Sequence, residues 1–178
     1  MKKTIIIPLV SIVAVALVLF AAAVGLNGIA SENAQADHIY VMQTLLPGSK
    51  DFVIEPYAGA DASIRSVHKG ETGFIIETVT QGYVDEITML IGVSNEGTVT
   101  GLVVRDMHET AGLGANALTD WQFLAQFLKN TGDAAVGTNV DAITGATVTS
   151  KAIARCVNSA VAYVTGADVQ SGATSWGG

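Results

Sequence analysis

The sequence predicts an α+β protein in which one N-terminal transmembrane helix is followed by a small extracytoplasmic domain, an antiparallel sheet flanked by helices. Three observations predict this arrangement. An uncharged apolar run extends from Ile5 to Leu26. Residues 73–107 are rich in β-branched side chains and are interrupted by turn residues. Between Lys151 and Val164, apolar residues recur at three- and four-residue steps, as on one face of a helix.

The apolar run from Ile5 to Leu26 is long enough to cross a membrane, because about 22 residues at a rise of ~1.5 Å span roughly 33 Å. Two lysines precede the run and the first charges after it are acidic. The positive-inside rule therefore puts the N-terminus in the cytoplasm and the rest of the chain outside. The alternative is a cleaved signal peptide, with Ala34-Gln-Ala36 as a small-x-small cleavage site. We favour a single-pass anchor, residues 1–30, in the cell (inner) membrane.

Composition excludes several classes of function. A length of 178 residues predicts one domain with appendages. The net charge of −7 and the lack of a basic patch argue against nucleic acid as a partner. The single cysteine, Cys156, excludes an intramolecular disulfide, and its apolar neighbours predict a buried thiol. His108 and Glu109 have no second His or Cys at ligand spacing, so we expect no metal. No triad or carboxylate pair is present, so we predict no catalytic residue.

A linker, a short helix and a segment of mixed pattern, in which residues 52–54 are a candidate short strand, are predicted to precede a regular sheet. Residues 31–72 are assigned to a linker and the start of the extracytoplasmic domain, with a short helix at His38–Leu46 and a solvated turn at His68–Glu71. Three strands follow, at Gly73–Val79, Glu86–Val93 and Thr98–Met107, with a turn at Asn95–Gly97, and then a helix at Ala115–Leu128. Because the connections between these strands are short, an antiparallel meander is favoured.

The segment Asp141–Ser150 is the strongest candidate for a site. It concentrates hydroxyl residues and one glycine directly before the predicted C-terminal helix, where Thr149 and Ser150 are plausible N-caps. A helix start offers unpaired N–H groups and a positive dipole end, which suits a phosphate. A hydroxyl there would hydrogen-bond a phosphate or be esterified to one. The alternative is a loop that merely caps the helix.

A second candidate segment runs from Asp106 to Gly114. Gly112 and Gly114 surround Leu113 after a charged cluster, which predicts a loop whose backbone approaches another group closely. The third glycine and the β-α-β context of a dinucleotide-binding fingerprint are missing.

Together the two segments resemble the FMN-binding domain of the Rnf and Na+-translocating NADH:quinone reductase complexes. Asp141, then Thr144-Gly145-Ala146-Thr147, then Thr149 match that family's flavinylation motif. The resemblance implies that Thr149 carries FMN through a phosphoester bond and that a flavin transferase installs it from FAD. It also implies that Asp141 serves recognition by this transferase.

The segment His108–Gly114 is similar to the loop that lines the flavin site in the family, with Ala111 in place of the usual proline. The resemblance therefore implies a cofactor site that combines the two segments. Its residues are Thr144, Gly145, Ala146, Thr147, Thr149 and Ser150, with Glu109, Thr110, Gly112, Leu113 and Gly114. Trp121 is either a flavin-contacting ring or a core residue, and the sequence favours the core.

The resemblance implies a redox carrier, since a flavin accepts and passes electrons while the protein supplies position and electrostatics. We expect an FMN-binding domain at 73–165, a flexible tail at 166–178, and the role of the G subunit in an Rnf-type ion-translocating ferredoxin:NAD+ oxidoreductase. Its partners would be the other proteins of the complex, the transferase and membrane lipid. The alternatives are the C subunit of the quinone reductase, a stand-alone extracytoplasmic flavin carrier, and a non-redox anchored binding domain.

Overall fold

The computed structural model describes residues 37–107 and 120–167. The predicted anchor, the loop residues 108–114 and the tail from residue 168 lie outside these ranges. The predictions for these segments therefore stay predictions. The chain divides into two compact units, Met1–Tyr40 and Val41–Gly178. Within the two described ranges, no helix has the length and apolar character needed to cross a membrane.

The larger unit is built on one sheet, which in the described residues has five strands. They are β1 (Val53–Glu55), β2 (Ile64–Lys69), β3 (Gly73–Gln81), β4 (Glu86–Ser94) and β5 (Val99–Met107). Their spatial order follows the chain, and each strand is antiparallel to the next. The predicted meander is therefore confirmed, and so is its last turn, where Gly97 takes φ +78° and its N–H donates to the Ser94 carbonyl at 2.9 Å.

Strand β2 corrects the prediction of a solvated turn at His68–Glu71. His68 pairs with Ile75 and Lys69 with Phe74 in the antiparallel register with β3. The turn falls at the following residues, where the Gly70 N–H donates to the Gly73 carbonyl at 2.8 Å. A strand with charged and polar residues on its exposed positions has a weak hydrophobic pattern, so its identity depends on pairing with β3.

The sheet is covered on both faces, which is clearest on β4. Alternate side chains of a strand point to opposite faces. Met89, Ile91 and Val93 belong to the larger core, which the C-terminal helix closes, whereas Leu90 belongs to the smaller core on the other face. All of these β4 side chains are buried. Consecutive buried positions are what a strand with both faces covered requires.

The smaller core is closed by the helix α1 (37–45), of which Met42 and Leu45 are buried. Its end lies against a cross-strand glycine pair, Gly92 and Gly101. A Cβ on Gly92 would collide with the Leu45 carbonyl, and one on Gly101 would lie 3.0 Å from the Leu45 Cα. Thr100 Oγ1 donates to the same carbonyl at 2.6 Å. The glycines therefore let the helix backbone approach the sheet directly.

Two helices complete the unit, α2 (Trp121–Ala125) and α3 (Thr147–Thr165). Helix α2 begins at Trp121, because Asp120 Oδ1 accepts from the N–H groups of Gln122 and Phe123 and so caps its start. It ends at Ala125, before the predicted end at Leu128. Residues 115–119 of the predicted helix lie outside the described residues. Helix α3 packs on β3 and β4, and its buried face includes the predicted apolar positions Ile153, Val157 and Val161.

Candidate functional site

The candidate site is the start of α3, which lies earlier than the sequence predicts. The helix begins at Thr147 and its N-cap is Ala146, so Thr149 and Ser150 lie inside the first turns and the prediction that they cap the helix is wrong. Thr and Val favour strands over helices, which hides this start in the sequence. A tight turn replaces the cap: Gly145 takes φ +80°, and the Ala146 N–H donates to the Ile143 carbonyl at 2.9 Å.

Ser150 fastens this turn from inside the helix. Its Oγ donates to the Ala146 carbonyl at 2.9 Å and accepts from the Ile143 N–H at 3.2 Å. The side chain is fully buried. A hydroxyl has one proton, and here that proton is held by a backbone carbonyl, so it is not available to a phosphate oxygen. The geometry therefore gives Ser150 a structural role in the motif.

The first turn of α3 is suited to an anion. The N-cap contributes no side-chain hydrogen bond, and the first turn contains no acidic residue. The first N–H groups of a helix have no partner within the helix, and the helix dipole adds a partial positive charge there. Thr144, Gly145 and Thr147 are exposed around this turn, whereas Ala146 is buried.

Thr149 itself has no exposed surface. It is the third residue of α3, next to Val148, which is about half exposed. A reagent from solvent reaches the Thr149 hydroxyl only after the surroundings of this side chain open.

The connector between α2 and α3 is held by side-chain amides, which were not predicted from the sequence. Gln126 Oε1 accepts from the Asp141 N–H at 2.8 Å and its Nε2 donates to the Asp141 carbonyl at 3.4 Å. Asn158, on α3, bonds the N–H and the carbonyl of Ala134, each at 2.9 Å. Asn139 accepts from the Ala135 N–H and donates to the Asp133 carbonyl, each at 2.8 Å.

The two Gln126 contacts fix the main chain of Asp141 and leave its side chain exposed. The pairs that form them are separated in the sequence by up to 24 residues. The signal that sequence reading could have used is the amide residue type alone, since Asn and Gln are the side chains that offer both a donor and an acceptor.

Trp121 corrects another expectation. It is 72% exposed, while Phe123 and Phe127 are buried and pack edge to face with ring centroids 5.3 Å apart. Residues two apart on a helix point in nearly opposite directions, so the burial of Phe123 turns Trp121 outward. The core assignment of Trp121 is therefore wrong.

The predicted loop residues Glu109, Thr110, Gly112, Leu113 and Gly114 lie outside the described residues. In the ranges that are described, no group of three or more His, Cys, Asp or Glu residues could hold a metal ion. Cys156, on the buried face of α3, is fully buried as predicted.

Comparison with known proteins adds the following matches. The family model for the FMN-binding domain matches residues 82–162. The G subunit of an ion-translocating oxidoreductase complex from Methanosarcina acetivorans is 34% identical over 139 residues, which are 69% of this chain and 72% of that protein. The G subunit of the Na(+)-translocating ferredoxin:NAD(+) oxidoreductase complex from Acetobacterium woodii is 38% identical over 98 residues. That alignment covers 50% of this chain and 47% of the relative, so the match spans about half of the Acetobacterium protein.

Among solved structures, NqrC from Shewanella oneidensis superimposes with a TM-score of 0.45 and 19% identity, over 71% of this chain and 73% of that chain. This structural similarity is too low to support a functional argument. The sequence relatives therefore carry the assignment.

Proposed function

Because the chain belongs to the family of G subunits of ion-translocating oxidoreductase complexes, which contains the FMN-binding domain, we propose that it is the electron-carrying G subunit of an Rnf-type complex. Its FMN is attached to Thr149 through a phosphoester bond. The flavin supplies the ability to accept and pass electrons, and the protein holds it in place.

The observation that carries this proposal is the start of α3. Its first turn lacks a side-chain cap and an acidic residue, and it follows a glycine turn that exposes Thr144 and Gly145. The first-turn N–H groups would hold the phosphate of FMN, and the helix dipole would offset part of its charge. The residues of the motif therefore fit a phosphate attached within this turn.

Attachment is a phosphoryl transfer to the Thr149 hydroxyl. The Thr149 oxygen forms a bond to the phosphorus of the FMN half of FAD. The bond from that phosphorus to the AMP oxygen breaks, and AMP and the hydroxyl proton are released. No electrons are exchanged in this step. A flavin transferase supplies the catalytic groups, and the exposed carboxylate of Asp141 is the feature that it would recognise.

The burial of Thr149 sets a condition for this reaction. Its hydroxyl has no exposed surface, so the transferase acts on a locally opened form of the helix start. Local opening of this kind is a normal property of folded proteins and costs less than global unfolding.

The proposal places the chain in the cell (inner) membrane by a single N-terminal span, with the flavin domain on the extracytoplasmic side. Its partners are the other proteins of the complex, the flavin transferase and membrane lipid. The relatives that support this assignment are named as G subunits of such complexes, which favours the Rnf type over the C subunit of the quinone reductase.

The test is the intact mass and the peptide map of the protein purified from membranes under denaturing conditions, from cells that contain the transferase. We expect an FMN-sized addition on the peptide that contains Thr149. Thr149→Ala removes the addition, because the attacking oxygen is gone. Thr149→Ser keeps the oxygen, and we expect it to retain the addition.

Thr138→Ala is the matched control, since this threonine is exposed on the connector outside the motif and we expect it to leave the modification in place. An unmodified native peptide in cells with active transferase would contradict the proposal. The motif would then be a helix start in an anchored domain that binds without redox chemistry.

A further inference from the structure

Gln126 makes the contact that joins α2 to the start of the motif. It is the C-terminal cap residue of α2. Its side-chain amide bonds both backbone groups of Asp141, through the short contact to the N–H and the longer contact to the carbonyl. Helix α2 is in turn fixed by Phe123, and Phe127, which follows the cap residue, is buried in the same larger core. Gln126 therefore links the motif to the core beside Val140, whose own side chain is buried in that core.

The contact fixes the backbone of a residue whose side chain stays exposed. No side-chain hydrogen bond or ion pair of Asp141 is found in the part of the chain that the structure describes, so its carboxylate remains available at the surface. The next attachment along the motif is the Ser150 hydroxyl, which bonds the Ile143 N–H. Gln126 and Ser150, together with the buried Ala146, hold the chain before α3.

We propose that Gln126 is a positioning residue for flavin attachment: by holding the Asp141 main chain, it presents the Asp141 carboxylate and the α3 start in one arrangement to the transferase. This inference rests on the proposed function. Without the Gln126 contact, the segment around Asp141 samples more conformations before the chain binds the transferase. The entropy lost when this segment becomes ordered then weakens binding. Once docked, the chemistry at Thr149 is unchanged.

The first test is steady-state kinetics of a purified flavin transferase, with FAD and the full chain in detergent as substrates. Gln126→Met keeps the length of the side chain and loses both contacts. We expect it to raise KM for the chain about tenfold, which corresponds to about 1.4 kcal/mol, with kcat within about twofold. Gln126→Glu retains the acceptor for the Asp141 N–H, and we expect KM within about threefold of the native value.

The matched control is Gln122→Met, the same change on the same helix at an exposed position whose side chain makes no hydrogen bond within the described residues. Equal KM values for Gln126→Met and Gln122→Met would overturn the proposal. A Gln126→Glu variant as impaired as Gln126→Met would also overturn it, because the acceptor for the Asp141 N–H would then have no effect.

A second measurement does not depend on flavin. Amide hydrogen exchange of the unmodified chain should show that Gln126→Met accelerates exchange at Asp141 about tenfold and leaves Val157, in the core of α3, unchanged. Unchanged exchange at Asp141 would overturn the positioning role. If the native chain is not modified by the transferase while exchange responds as expected, the proposed function fails and the contact itself stands.

Discussion

Replacing Ser150 by alanine tests how much the buried Ser150 hydroxyl contributes to the stability of the fold. The Ala146 carbonyl keeps a partner, since it also accepts from the Ser150 N–H at 2.9 Å. The Ile143 N–H loses the Oγ that it donates to. This donor is part-buried. Leaving a buried donor unsatisfied costs about 1–3 kcal/mol, and alanine returns about 0.5 kcal/mol through its helix propensity. We expect the free energy of unfolding to fall by about 0.5–2.5 kcal/mol.

Thermal unfolding of the unmodified full chain in detergent, followed by circular dichroism, measures this effect as a fall in Tm of about 1–10 °C. Thr147→Ala is the control, because Thr147 is exposed in the same turn and we expect a change within about 0.5 kcal/mol. The reasoning is refuted if both variants unfold at the same temperature. Ser150→Ala also tests whether the role of Ser150 is structural. If it is, the FMN-sized addition at Thr149 should still form in this variant.

Two further predictions test which side chains are buried in the larger core and which are exposed. Trp121→Ala should change the free energy of unfolding by no more than about 0.5 kcal/mol, whereas Phe127→Ala should cost about 3–5 kcal/mol; similar losses in denaturant titrations of the two variants would contradict the exposure of Trp121. Burial raises the pKa of the Cys156 thiol from its ordinary value of 9.0 to about 11. The unfolded chain therefore loses this proton first, and the stability contributed by Cys156 is fully present below about pH 9 and is lost as the pH rises to about 11. Cys156→Ala should lack this component, and a thiol reagent should label the native chain at neutral pH only as fast as the core opens.

The sequence was sufficient to predict the elements that have strong periodic patterns. The three long strands and the apolar face of α3 follow from local residue choice, because burial on a sheet or helix face requires it. Strand β2 was missed because His68 and Lys69 look like turn residues until β3 is beside them. The start of α3 was placed too late because Thr147 to Thr149 have low helix propensity, and the Ser150 contacts with the turn override that preference.

The site was predicted only as far as its motif residues. The position of Thr149 near a helix start was evident from the order of residues, but its burial depends on what packs around it. The amide contacts of Gln126 and Asn158 join segments that are distant in the sequence, and no periodic pattern accompanies such pairs. Trp121 was misassigned because an aromatic residue at helical spacing usually fills a core, and the spacing alone did not show that Phe123 takes the inward face.

The amides of Gln126, Asn139 and Asn158 carry no formal charge, and this has a consequence for experiments in solution. Contacts between neutral groups are not screened by salt, and they do not titrate. The connector before α3 should therefore keep one shape across changes in ionic strength and across the neutral pH range. A salt or pH dependence of flavin attachment would then report on the exposed carboxylate of Asp141 and on the transferase, rather than on a change in the scaffold that holds the motif.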